Sequence, residues 1–287
     1  MRTLLAGLVL MAALAGFLVL AAASGWKALP TAAWAQAERE FSFAVFGDCR
    51  PAGQLPYSSA LERLAIDIGE VAPAFVIGTG DYIDGSSNQR RVRWEYNQFF
   101  AAIEPMQSRR AVPVALATGN HDILGVRANE EIFKELFGHL RFSFNHGGCH
   151  FIILNTEQVG EEGRIIGQQL QWFKQDLAAY KDARFTFVAL HQPLFPVDGH
   201  VGASCDAYPQ QRDALHALFV QQGVDCVFCG HEHLYNHQEK DGIHYFITGG
   251  GGAPLYAEPE RGGFHHYLLV RVSESSYRVS IRRLGGE

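Results

Sequence analysis

The feature that most constrains the fold is an alternation of short apolar segments with longer amphipathic ones. Residues 41–48 and 74–81 are rich in β-formers, and each run is followed by a segment whose apolar side chains recur at helical spacing, as in residues 57–71. Alternating strands and helices are typical of α/β folds. The segments after residue 233 predict antiparallel strands, so we expect a mixed sheet or two sheets.

The predicted elements follow one another without a linker that would divide residues 41–287. The predicted strands are residues 41–48, 74–81, 111–122, 184–193 and 224–233, and the predicted helices are residues 57–71, 89–103, 129–138, 167–182 and 209–223. Residues 141–157 predict a hairpin that turns at Gly147 and Gly148. We therefore expect a single domain over residues 38–287.

The N-terminal segment has the pattern of an export signal. Arg2 precedes an uncharged apolar run, residues 4–23, and a small-x-small cleavage pattern lies within residues 33–37. The apolar run is nearly long enough to span a bilayer. Residues 1–37 are thus predicted to be a signal peptide of a periplasmic or secreted protein. The alternative is a membrane anchor formed by residues 4–23, the one membrane contact that we expect.

Composition limits the partners and the redox chemistry. The formal net charge of −6 gives no basic face for a phosphate backbone, so no nucleic-acid partner is expected. Five cysteines leave at least one thiol unpaired. Cys226 and Cys229 lie in one predicted strand and point to opposite faces, which predicts two buried free thiols and no disulfide.

Each predicted strand ends in a carboxylate, an amide or an imidazole, often directly after a glycine. These residues are Asp48, Asp81, Asp84, Asn120, His121, Asp122, His191, His231 and His233. Ligands of open α/β sheets bind at the carboxyl ends of the strands, so we expect these side chains to converge. Oxygen and nitrogen donors without thiolates suit Mn, Fe or Zn. A carboxylate can also bridge two cations, and such a pair clamps the oxygens of an in-line displacement at phosphorus.

The motifs at these strand ends resemble those of the calcineurin-like metallophosphoesterases in order and in spacing. They are GD at residues 47–48, GDYID at 80–84, GNHD at 119–122, His191 and GHEH at 230–233. The resemblance covers residues 41–272. It implies a four-layer α/β/β/α sandwich of two mixed sheets and a dinuclear metal site holding two divalent or trivalent ions, Mn, Fe or Zn.

The resemblance also implies a role for each residue. Asp81 bridges the metals, one site is completed by Asn120, His191 and His231, and the other by Asp48 and His233. His121 faces the substrate, where it protonates the leaving oxygen or stabilises charge. Asp122 or Asp84 orients His121 through a hydrogen bond.

One position departs from the family pattern. The usual Asp-x-His is here Asp48-Cys49-Arg50, and arginine cannot bind a cation. The purple acid phosphatases supply a tyrosine three residues after the bridging aspartate, a position that is Asp84 here. The Asp48/His233 site is therefore predicted to lack one protein ligand, which water, Asp84 or substrate must replace. Arg50 is predicted to contact phosphate or, alternatively, to pair with an acid such as Asp84.

The predicted function is that of an exported metallophosphoesterase. It hydrolyses a phosphomonoester or a phosphodiester by attack of a metal-bound hydroxide, on a small-molecule or phosphorylated substrate, with His121, Asp122 and Arg50 as catalytic residues. The alternative is a degenerate, non-catalytic module that binds a phosphate ligand or a partner. Two further expectations concern neighbours of the site. The glycine run at residues 248–252 is predicted to form a flexible rim loop, and His200 to be a surface or hydrogen-bonded residue.

Overall fold

Eleven strands form two sheets in residues 38–53 and 56–284, the part of the chain that the computed structural model describes. The predicted leader, residues 1–37, lies outside the described residues. The strands are β1 (Phe41–Phe46), β2 (Phe75–Gly78), β3 (Val114–Leu116), β4 (Phe142–His146), β5 (Cys149–Ile153), β6 (Thr186–Ala189), β7 (Cys226–Cys229), β8 (Tyr235–Lys240), β9 (Ile243–Thr248), β10 (His266–Val272) and β11 (Tyr277–Arg283). The α-helices are α1 (Ser59–Val71), α2 (Gln89–Ile103), α3 (Asn120–Ile123), α4 (Arg127–Phe137), α5 (Gly167–Ala179) and α6 (Pro209–Gln222).

Both sheets are mixed, as expected. The first has the order β11-β10-β1-β2-β3, with β1, β2 and β3 parallel and β10 antiparallel to both of its neighbours. The second has the order β4-β5-β6-β7-β9-β8, in which the four central strands are parallel and the two edge strands antiparallel. The hairpins β8–β9 and β10–β11 confirm the predicted antiparallel strands, although they belong to different sheets.

Three apolar layers hold the sheets and helices together. Helices α1, α2 and α4 cover the outer face of the first sheet with residues such as Leu64, Phe99 and Phe133. Between the sheets, the ring of Phe43 lies 5.2 Å from the rings of both Phe75 and Phe151. Each such buried aromatic side chain stabilises the fold by roughly 1.5–3 kcal/mol. Helices α5 and α6 cover the second sheet, which completes the α/β/β/α sandwich.

Capping residues and glycines define the ends of four helices. Ser58 caps α1 by accepting a hydrogen bond from the backbone of Leu61, and Asn88 caps α2. Gly138 and Gly223 end α4 and α6. Strands are shorter than predicted, most clearly in residues 111–122. Only β3 forms there, because the chain leaves the sheet at Gly119 and continues into the single helical turn of α3.

The cysteines are free and buried, which confirms the prediction for Cys226 and Cys229. Cys226 faces the layer between the sheets, whereas Cys229 faces the layer beneath α5 and α6. Within the described ranges, no helix is long and apolar enough to cross a bilayer.

Candidate metal centre

Four predicted donors meet where β2, β3, β6 and β7 end, and we call them the four-donor cluster. They are Asp81, Asn120, His191 and His231. Asn120 Oδ1 lies 2.9 Å from both His191 Nε2 and His231 Nδ1, and these two nitrogens are 3.1 Å apart. Asp81 Oδ1 lies 3.5 Å from His191 Nε2. Three donor atoms thus lie within 3.1 Å of one another, and Asp81 adjoins them through His191.

The hydrogen bonds of His191 indicate which kind of ligand the four-donor cluster can bind. Its Nδ1 donates to the backbone carbonyl of Thr79 over 2.8 Å. Burial lowers the pKa of His191, so the ring is neutral and its Nε2 carries only a lone pair. Asn120 Oδ1, 2.9 Å away, is also an acceptor. Two acceptors at this distance need a group that bonds to both, either the Nδ1–H of His231 or a cation, so the donor set fits a metal ion once His231 Nδ1 offers its lone pair.

A second group, the three-donor cluster, shares Asp81 and adds Asp48 and His233. Their ligand atoms lie within 4.8 Å of one another, and His233 Nε2 is 3.6 Å from Asp48 Oδ1. His233 Nδ1 donates to the carbonyl of Pro254 over 2.6 Å, so the lone pair lies on Nε2, which is 3.4 Å from the hydroxyl of Tyr256 and can bind a metal in its place. Burial lowers the pKa of His233 to about 4. Burial and the charge of Asp81 raise the pKa of Asp48, so a bound cation would favour its ionised form.

The backbone that presents these donors is strained. Asp48, Asp81 and His231 have φ angles of 56°, 60° and 70°, in the left-handed region that side chains other than glycine rarely adopt. The loops also approach each other closely. A Cβ atom at Gly119 would lie 2.2 Å from Asp81 Oδ1, and one at Gly230 would lie 2.2 Å from Asp48 Oδ2. The glycines in the motifs therefore provide the space in which the carboxylates lie.

Asp122 positions Asp81. Its Oδ2 accepts hydrogen bonds of 2.8 Å from the backbone of both Asp81 and Gly119, and its Oδ1 accepts from the backbone of Tyr82 and the hydroxyl of Tyr96 over 3.2 Å. Both oxygens thus accept hydrogen bonds from the loops after β2 and β3, and one also accepts from Tyr96 of α2. Asp122 and Asp84 were the two residues predicted to orient His121. Because both oxygens of Asp122 bond to other groups, the prediction for Asp122 is wrong, and Asp84 is the remaining candidate.

His121 is held by two contacts. Its Nδ1 donates to the backbone carbonyl of Asp84 over 2.9 Å, and its backbone N–H donates to Asp81 Oδ1 over 2.9 Å. Asp84 thus orients the ring through its main chain, whereas its carboxylate is used elsewhere.

Arg50 lies in ion pairs at the edge of the site. Its Nη1 is 3.4 Å from Asp84 Oδ1, and its Nε is 3.8 Å from Asp81 Oδ2. The other oxygen of Asp84 is 3.7 Å from Arg91 Nη2. The predicted alternative, pairing of Arg50 with Asp84, is therefore present, and the possible additional ligand Asp84 already contacts two guanidinium groups.

Several neighbours of the donors were not assigned from the sequence. The His200 ring lies 3.9 Å from the ring of His231, and the Tyr256 ring stacks on His233 at 4.1 Å. Glu232 is buried and accepts hydrogen bonds from the backbone of Val197 and Asp198, which holds the loop that carries His200. These contacts join segments with no common motif, so the sequence carried no signal for them.

The prediction of a flexible rim loop at residues 248–252 is wrong. The glycines are buried, and Gly251 N–H donates to the carbonyl of Gly47 over 2.9 Å. Ala253 N–H donates to the carbonyl of Asp48, also over 2.9 Å. A Cβ atom at Gly251 would lie 2.3 Å from the Gly47 carbonyl oxygen. The four glycines directly after a strand were the available signal, because such runs mark close backbone approach.

The family follows from a comparison with known proteins. The family model described as calcineurin-like phosphoesterase matches residues 41–235. The chain belongs to the calcineurin-like phosphoesterase family. As a member of this family, it is a hydrolase of phosphoric ester bonds.

Relatives of this phosphoesterase include phosphatases. It is 25% identical over 250 residues to tartrate-resistant acid phosphatase type 5 of Oryctolagus cuniculus. The match covers 76% of this chain and 75% of the relative. It is 32% identical over 132 residues to serine/threonine-protein phosphatase CPPED1 of Bos taurus, 42% of each protein. The solved purple acid phosphatase from yellow lupin (Lupinus luteus) has the same fold, with a TM-score of 0.67 and 20% identity over 88% of this chain and 52% of that one.

Proposed function

We propose that this phosphoesterase hydrolyses a phosphomonoester or a phosphodiester at a dinuclear metal centre. The observation that carries the proposal is the convergence of Asn120 Oδ1, His191 Nε2 and His231 Nδ1 within 2.9–3.1 Å of one another beside Asp81. The three-donor cluster adjoins this set and shares Asp81 with it. The acid phosphatase relative, with three quarters of its length covered, supports the same chemistry.

The two clusters would hold the metals, with Asp81 between them. When bound, such ions polarise phosphoryl oxygens and lower the pKa of water. The chain's own contribution is to fix the donors before the ions arrive. Thr79 and Pro254 accept from the outer nitrogens of His191 and His233, which sets the tautomer of each ring. Asp122 fixes the loop of Asp81.

His121 is the proposed proton donor to the leaving oxygen. It follows the donor Asn120 directly in the chain, and it is half-buried. Because its Nδ1 donates to the carbonyl of Asp84, its Nε2 is the atom that can carry or release a proton toward substrate. General acid catalysis of this kind contributes about 10²–10⁴-fold to the rate.

Arg50 is the proposed additional contact for a phosphoryl oxygen. Its Nε is buried without a hydrogen-bond partner among the described residues, although Asp81 Oδ2 lies 3.8 Å away. An anionic oxygen would satisfy this donor. Arg50 is also the observation that favours the second candidate function, a non-catalytic module that binds a phosphate ligand, because a guanidinium contacts the carboxylate that the metals would share.

One assay separates these functions. The protein is stripped with a chelator and supplied with Mn, Fe or Zn, and turnover of a chromogenic phosphomonoester and a phosphodiester is measured. We expect metal-dependent hydrolysis of at least one ester and its loss in Asn120→Ala. Asn97→Ala, which alters an exposed amide on α2, is the matched control. Phosphate binding without turnover under every metal condition would instead support the non-catalytic module.

Export is a separate proposal that rests on the leader alone. Arg2, the apolar run of residues 4–23 and the small-x-small pattern support translocation of the domain. The mass of the protein recovered from an exporting host tests it. A chain that begins near residues 35–38 outside the cytoplasm supports a cleaved signal, and a full-length chain in the membrane fraction supports the anchor.

A further inference from the structure

We propose that Arg50 makes the two metal sites unequal, so that the protein retains one cation at the four-donor cluster and binds a second only weakly at the three-donor cluster. The inference rests on the proposed function, since it concerns the affinity of the proposed metal centre. It goes beyond that function by assigning to one side chain of this protein the control of metal stoichiometry.

The first reason is the number and spacing of the donors. At the four-donor cluster, three neutral donor atoms approach within 2.9–3.1 Å, and the Asp81 carboxylate adds a charge. At the three-donor cluster, one imidazole and two carboxylates lie within 4.8 Å of one another, with His233 Nε2 3.6 Å from Asp48 Oδ1, so this cluster has one donor fewer. A metal there must complete its coordination with water or substrate, because Arg50 has no lone pair to offer.

The second reason is the position of the guanidinium. Arg50 is largely buried, with 16% of its side chain exposed, and its Nε lies 3.8 Å from Asp81 Oδ2. Arginine keeps its charge at every physiological pH. Its charge therefore already offsets that of the shared carboxylate, and it repels a further cation placed beside Asp81.

The third reason is that the surrounding charges hold Arg50 there. Asp84 contacts Arg50 with one oxygen and Arg91 with the other. Arg91 in turn pairs with the buried Glu95 over 2.7 Å. The result is a row of alternating charges from Asp81 to Glu95. A cation could bind tightly at the three-donor cluster only if Arg50 moved away from Asp81. That movement would remove one ion-pair partner of Asp84, so the row of charges disfavours tight binding of a second cation.

The test measures metal binding and does not depend on activity. The wild-type protein is stripped, loaded with Mn²⁺ and dialysed, and bound metal is counted by plasma mass spectrometry. Titration with Mn²⁺, followed by electron paramagnetic resonance of the free ion, gives both affinities. We expect about one retained ion per chain and a second, weaker binding step.

Variants assign the difference to Arg50. Arg50→Gln removes the charge and should tighten the weak step by about 10–100-fold, the range seen for changes close to metal ligands. Arg50→His also adds a donor and should raise the retained stoichiometry to about two. Arg91→Gln is the matched control, since it removes the other arginine on Asp84 and leaves Arg50 beside Asp81. Thermal melting of each stripped variant confirms that it is folded.

The outcomes are distinguishable. Two equally tight ions in the wild type would overturn the inequality and leave the proposed function standing. Unchanged binding in both Arg50 variants, or equal tightening in Arg91→Gln, would overturn the role of Arg50. Failure of the wild type to bind Mn, Fe or Zn at all would remove the proposed function and this inference together.

Discussion

The two donor clusters share Asp81 but are built differently. The four-donor cluster gathers residues from the ends of four strands, with three donor atoms 2.9–3.1 Å apart and Asp81 Oδ1 3.5 Å from His191 Nε2. The three-donor cluster has one donor fewer, with His233 Nε2 3.6 Å from Asp48 Oδ1, and the Nε of Arg50 lies 3.8 Å from the shared Asp81. In both, a backbone carbonyl fixes the tautomer of a histidine. The difference teaches that strand-end loops set which donors converge, whereas neighbouring charges set how strongly each set can bind a cation.

The supports beneath the clusters differ as well. Asp122 ties the loops after β2 and β3 together below the four-donor cluster. The three-donor cluster rests on the buried glycine run, whose backbone bonds to Gly47 and to the carbonyl of Asp48 through Ala253. The four-donor cluster is thus supported by a buried carboxylate. The three-donor cluster is supported by main-chain contacts that form because the glycines have no side chains.

The largest expected effect comes from removing the charge of Asp81, the carboxylate that the two clusters share. Asp81→Asn keeps the shape of the side chain but removes the charge that both sets use, so both affinities should fall. Metal ions stabilise the charge of the transition state by several kcal/mol, and we therefore expect kcat/KM to drop by about 10³-fold or more. Steady-state kinetics and metal analysis of the same preparation check this. Asp182→Asn, at an exposed carboxylate, is the control, and full activity in Asp81→Asn would show that the clusters do not act together.

A smaller effect should separate chemistry from metal binding. His121 bonds to Asp81 of the four-donor cluster through its backbone N–H, and its side chain bonds to the carbonyl of Asp84, so His121→Gln should leave the metal content unchanged. We expect kcat to fall by about 10²–10⁴-fold, because a proton donor is lost. His139→Gln, at an exposed histidine, is the matched control. Loss of bound metal in His121→Gln would instead identify the side chain as part of the metal site.

Much of this arrangement could be predicted from the sequence. Periodicity located the helices, and the polar residues after each apolar run marked the strand ends. The four-layer order was implied by the resemblance of the motifs to the calcineurin-like family. The partners of those residues could not be predicted, because they depend on loops distant in the chain. His191 donates to Thr79, 112 positions away, and His233 to Pro254, 21 positions away. The burial of the glycine run and the hydrogen bonds that Asp122 accepts likewise form only when separate loops pack together.

The smallest predicted effect concerns the support of the three-donor cluster. His266 is fully buried below the glycine run, and its N–H donates to the carbonyl of Gly250 over 3.0 Å. Its ring contacts the carbonyl of Phe264 at 2.9 Å and the hydroxyl of Thr248 at 3.2 Å. Burial lowers the pKa of His266 to about 4. The fold therefore requires a neutral imidazole at this position.

The sign of the pH dependence follows from this pKa. Between pH 6.5 and about 4, the unfolded chain binds a proton at His266 that the folded protein excludes. The free energy of unfolding of the metal-free protein should then decrease with falling pH, by at most about 1.4 kcal/mol per pH unit from this residue. His266→Gln does not titrate, so its stability should fall less steeply over the same window. Urea unfolding of both proteins at pH 7, 6 and 5, with His139→Gln as control, measures the difference. Parallel curves would mean that the folded protein accepts the proton at His266, and the support below the three-donor cluster would then tolerate a charge.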